Sequence, residues 1–120
     1  MEEDMLKQIR KLAEKNNYEE LILNFKREKP VVIKGIKGSF IPEVLLYKKG
    51  EIKALVSFVK SLEKIEEIYK LTLLIDYISK KSLSLYILYD PRKISDKEIL
   101  KKLEEKKVKL PENVYLVKLL

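Results

Sequence analysis

Two ionisable side chains stand where chemistry would be expected. Glu43 follows Pro42 at the head of one apolar run, and Lys60 closes the next, within FIPEVLLYKKGEIKALVSFVKS at residues 40–61. Any chemistry of the chain should lie there, on Glu43 and Lys60. The chain has no His and no Cys. That removes the usual base at neutral pH, disulfides and thiolate metal sites, and makes zinc a poor fit. No cofactor is required by the sequence; a metal centre would need oxygen ligands, which suit magnesium or manganese. No Gly-rich phosphate loop, nucleophile elbow or helix-turn-helix signature is present.

The elements that must position these residues follow from periodicity. Lys48-Lys49-Gly50 lies between the two apolar runs, and a glycine after a polar pair supplies the positive φ of a tight hairpin. Strands at 43–48 and 51–60 are therefore expected to be antiparallel neighbours at the centre of a sheet. On the second, Ile52, Ala54, Val56, Phe58 and Lys60 should share one face. Before the hairpin, residues 3–15 have helical spacing. Asn17 and Glu20 suggest a capping box for a second helix carrying Tyr18, Leu21, Ile22 and Phe25. The β-branched run at 31–36 reads as a strand. After the hairpin, Ser61 can cap an apolar helix at 62–79, and 82–89 alternates as a strand. Ser95 and Glu98 form a capping box inside an Ile94/Ile99 staple, opening a helix to about Lys107. Residues 114–119 make a last strand. The expected order is α(α)βββαβαβ: one α/β domain spanning 1–120, a mixed central sheet with flanking helices.

Composition bounds the partners. Basic residues outnumber acidic ones 26 to 19, a net charge of +7. The excess sits in residues 28–60 and 91–120, at +4 each. Such a surface suits a phosphate backbone, and equally a solvated lysine face. Lys and Glu dominate, with one Gln and three Arg, the composition of hyperthermophile proteins. The acidic start MEEDMLKQ differs from a signal peptide, and no apolar run is long enough to span a membrane. A cytoplasmic location is expected. The seven tyrosines are spread over every element and read as core borders, not as a stacking platform.

At Ile41-Pro42-Glu43-Val44 and Val56–Lys60 the pattern resembles the restriction-endonuclease-like, PD-(D/E)xK superfamily, archaeal Holliday-junction resolvases and related small nucleases among them. The resemblance implies an N-terminal helix, a three-strand meander, a crossover helix and a parallel strand. It implies Glu43 as the metal-binding acid after proline and Lys60 as the lysine that polarises the attacking water. Glu14, on the first helix, would add a second acid, as in some family members. Phe58 stands where the family has its second metal-binding carboxylate. Shifting the frame by one residue brings Ser57 there and costs the lysine, because Val59 then takes its place.

Three functions follow as expectations. The first is a nuclease-like fold without a working metal site, a non-catalytic DNA-binding or assembly subunit. Lys48, Lys49, Lys53 and Lys60 would then contact phosphates, with Lys97, Lys101 and Lys102 extending the patch. The apolar helix 62–79 would serve a homodimer or a protein partner. The second is an active magnesium- or manganese-dependent nuclease using Glu43, Lys60 and Glu14. The third is a protein-interaction module with no nucleic-acid role.

Overall fold

The computed structural model describes residues 2–119. Its elements are α1 (Glu2–Lys15), β1 (Glu20–Leu23), β2 (Val44–Lys48), β3 (Glu51–Val59), α2 (Ile65–Lys81), β4 (Ser84–Tyr89), α3 (Asp96–Glu105) and β5 (Val114–Lys118). The five strands lie in chain order, β1-β2-β3-β4-β5. The first two pairings are antiparallel and the last two parallel. Two crossovers of one hand, stepping in one direction, place their helices on one face. There α2 and α3 pack Leu71, Leu74, Ile78 and Ile99 against Leu45, Leu55, Leu85 and Ile87. On the opposite face, Ile9 and Ala13 of α1 meet Val44, Leu46, Ala54, Val56, Tyr86 and Leu88. One 14-residue helix about 10 Å wide is narrower than five strands spaced about 4.8 Å apart. The flanks of α1 are therefore grooves.

The hairpin forms as its sequence suggests. Lys49 and Gly50 both adopt positive φ, +53° and +76°. β3 is the middle strand, apolar on both faces. A bulge changes one detail: Leu46 opposes Ala54 while Tyr47 opposes Ile52. The extra residue turns Ile52 to the α2 face, away from the Ala54 face where strict alternation would put it.

Two other expectations are overturned. Residues 18–25 contain a strand in place of a second helix. Asn17 takes the left-handed conformation at φ +61° and closes α1. The Tyr18 N–H donates to the Ala13 carbonyl and the Asn17 N–H to that of Glu14, the bond pair of a Schellman motif. Leu21 and Leu23 then pair with Leu46 and Val44 along β2, and a ladder partner overrides a helical spacing carried by only four apolar residues. Nor are residues 31–36 a strand. They run as a loop whose Ile33 is buried beside α2. Gly35, at φ +95°, lies against the Tyr77 ring. The loop is held by buried Asn24, whose amide donates to the Val31 and Pro42 carbonyls at 3.3 and 3.2 Å and accepts from the Val31 N–H at 2.9 Å.

α2 begins at Ile65 without a side-chain cap, so Ser61 does not start it. Much of its apolar breadth is spent inside the domain, with Ile68, Leu71, Leu74, Ile75 and Ile78 buried; Ile65 and Tyr69 remain exposed. The α3 capping box forms as expected, both of its hydrogen bonds being present, and Ile94 and Ile99 are buried. Among the described residues no helix is long and apolar enough to cross a membrane.

Like α1, helices α2 and α3 close on left-handed residues, Ser82 (φ +56°) and Lys107 (φ +59°). The Leu83 N–H reaches the Ile78 carbonyl and the Val108 N–H that of Leu103. Neither position carries the glycine that such caps prefer, and the left-handed region costs an L-residue about 1–2 kcal/mol. Ser82→Gly and Lys107→Gly are each expected to raise stability by about 1 kcal/mol, a Tm increase of roughly 4 °C. Thermal unfolding of the single variants checks this; an unchanged or lower Tm would contradict the cap assignment.

Candidate functional site

Glu43 precedes β2, where the ladder with β3 has reached Val44 opposite Val56. Beyond that pair β2 has ended, and the Glu43 carboxylate serves the backbone it leaves behind. Its Oε2 accepts from the Phe58 N–H at 3.0 Å, and its Oε1 from Lys70 Nζ of α2 at 2.6 Å. The two side chains are only 19% and 17% exposed. Glu43 is thus half of a largely buried ion pair, facing α2.

Lys60 lies elsewhere. Side chains alternate along β3, with Leu55 and Val59 in the core under α2 and Val56 and Phe58 on the α1 side. Phe58 packs edge-on against Phe25, ring centroids 5.2 Å apart. Lys60, one residue past the strand, lines a cavity with Asp4, Met5 and Gln8 of α1. Glu43 and Lys60 therefore serve opposite faces of the sheet. By alternation the β3 residues on the Glu43 face are Ser57 and Val59, both buried. The Ser57 hydroxyl has no hydrogen-bond partner among the described residues. Backbone N–H groups of Lys60 and Ser61 donate to the two oxygens of Glu67, which anchors the end of β3 to α2.

Glu14 stands in the last turn of α1. That turn leads through Tyr18 to Glu19, whose N–H binds the Tyr47 carbonyl, at the hairpin end of the sheet. The first turns, at Asp4 and Gln8, lie at the Lys60 end. Ten residues of helix from Asp4 to Glu14 span about 15 Å, so Glu14 is not brought to Glu43. Among the described residues no group of three acids could hold a metal ion.

The lysines named from sequence are all exposed, and they fall into separate regions. Lys48 ends β2 and Lys49 sits in the hairpin turn, and Lys53 pairs with Glu51 at 3.1 Å. Lys60 is at the far end of β3, roughly 30 Å from the turn at the rise of a strand. Lys97 lies in the first turn of α3, with Lys101 and Lys102 farther along; Lys102 approaches Glu105 at 3.7 Å.

Beside Lys60 the fold adds two cations that the sequence does not single out, Arg92 and Lys93. A cavity of about 750 Å³ opens at the carboxyl ends of β3 and β4, bounded by Lys60, Arg92 and Lys93 and by the carboxylates of Asp4 and Asp90, over Met5, Phe58, Leu88 and Leu119. Arg92 forks onto Asp90, with two side-chain hydrogen bonds at 3.1 Å and a backbone bond at 2.9 Å. The side-chain hydrogen bonds from Arg92, then its backbone N–H, hold the Asp90 carboxyl below its ordinary range. Lys60 and Lys93 have no ion-pair partner among the described residues. Asp90-Pro91 was legible as the end of a strand; that this end is parallel to that of β3, and so brings Lys93 beside Lys60, depends on pairing.

Compared with known proteins, the chain matches no family model, no curated protein and no solved structure.

Proposed function

We propose that this chain is a non-catalytic nucleic-acid-binding subunit whose fold is a restriction-endonuclease-like one with its metal site closed. The observation that carries the non-catalytic half is the Glu43–Lys70 pair. The acid that would hold a cation already has an ammonium 2.6 Å away, and Phe58 adds no carboxylate. A helix, an antiparallel three-strand meander and a helical crossover to a parallel strand support the family reading. The net charge and the cleft holding Lys60 and Lys93 support binding to phosphates.

Binding to duplex and branched DNA across a salt series tests this. Affinity should fall linearly with salt on logarithmic axes, and removing one phosphate-contacting lysine should make the slope shallower by about 1. Lys60→Ala and Lys93→Ala are expected to do so individually, while plasmid DNA stays intact with magnesium or manganese. Absent binding, or a flat slope, would remove the proposal. Cleavage lost in Glu43→Ala would replace it with the active-nuclease reading.

A further inference from the structure

Three of the seven tyrosines, distant in sequence, meet on the α1 face. Tyr86 of β4 pairs in register with Tyr115 of β5. Their rings stack, centroids 5.1 Å apart and planes 21° from parallel. Tyr18 meets Tyr86 edge-on, with hydroxyl oxygens 3.2 Å apart. Tyr86 is buried, whereas Tyr115 is 45% exposed on the edge strand. The inner ring thus fixes the outer one, and the outer one is open to a ligand. Burial first, then the Tyr18 hydrogen bond, pushes the Tyr86 hydroxyl well above its ordinary range.

The rings border a groove of about 480 Å³ between α1 and β5. Lys11 and Lys15, one helical turn apart, line it from the α1 side. Neither has an ion-pair partner among the described residues. Gln8 closes one end by donating to the Lys118 carbonyl, and the same residue borders the cleft of Lys60 and Lys93. The two depressions are neighbours along α1. An exposed, rigidly backed aromatic ring beside unpaired lysines combines the two parts of a single-strand site: a platform that accepts any base and cations that follow the backbone. A duplex, with its bases already stacked, would use the lysines alone.

We propose that the α1–β5 groove binds unpaired bases of single-stranded nucleic acid, one base stacking on Tyr115 and the adjoining phosphates meeting Lys11 and Lys15. The proposal rests on the nucleic-acid reading above and adds the class of strand it takes. Fluorescence anisotropy with a short labelled oligothymidylate and a labelled duplex of equal length, on the full chain, tests it. Tyr115→Ala should weaken oligothymidylate binding about tenfold or more, from the loss of one base stack, and leave the duplex nearly unchanged. Tyr115→Phe should bind as the parent does. Lys11→Ala with Lys15→Ala should flatten the oligothymidylate salt slope by about 1.4. Full oligothymidylate affinity in Tyr115→Ala overturns this proposal; if duplex binding persists there, the broader reading stands. Absence of binding to either nucleic acid in the parent protein removes both.

Discussion

Asn24→Ala is expected to cost about 3 kcal/mol of folding stability, a large share of what a small domain has. The side chain is 4% exposed and sits where the chain leaves β1. Its amide satisfies two carbonyls and its oxygen one N–H, tying Val31 and Pro42 to the same point. Alanine leaves those groups without partners, and an unpaired buried polar group costs about 1–3 kcal/mol. Relaxation of the partly exposed Val31 end keeps the total below the full sum. Asn24→Asp should lose nearly as much, because it keeps the acceptor for Val31 and sets a carboxylate against two carbonyl oxygens. Urea unfolding reads the effect as a lower midpoint at unchanged slope. A midpoint near the parent's would mean that the loop from 27 to 43 is held by something other than this amide.

Glu43→Ala is expected to cost about 2–3 kcal/mol, somewhat less than the loss from breaking a fully buried pair. The change strands the Lys70 ammonium in a site where 17% of its side chain meets solvent. It also frees the Phe58 N–H that β2 no longer covers. The double variant Glu43→Leu/Lys70→Met should recover much of the loss, since apolar side chains of similar size replace buried pairs at little cost. A double-mutant cycle therefore has a coupling energy above about 1 kcal/mol as its expected result. A metal-binding acid held among other acids would behave differently. Its removal would relieve repulsion and raise the stability of the metal-free protein. A stabilised Glu43→Ala, together with cation-dependent cleavage by the parent, would refute a structural role for the Glu43–Lys70 pair.

Much of the architecture was legible before any coordinates. The hairpin at Lys49-Gly50, the long central strand and the Ser95/Glu98 cap act over two to four residues, and local signals of that range survive into the fold. The segment 18–25 failed for a related reason: four apolar residues satisfy a helical spacing and a short ladder about equally well. The run at 31–36 has strand propensity, but no neighbour offers it a ladder, and the Asn24 amide holds it as a loop. Of the candidate site, the position of Glu43 at the opening of β2 was legible, and its partner Lys70 was not, because a lysine within an amphipathic helix looks like any solvated charge.

What the amino-acid order settled by itself was the type of nearly every later element and the alternation along the strands outside the β3 bulge, since caps, turns and periodicity are properties of neighbouring residues. Only the tertiary structure decided that Glu43 faces α2 while Lys60 borders α1, that Arg92 and Lys93 join Lys60, and that Tyr18, Tyr86 and Tyr115 converge. Those outcomes depend on which strands pair, in what register, and where a strand ends. Pairing register turns a side chain from one face to the other by a single residue, so it is set by partners dozens of positions away.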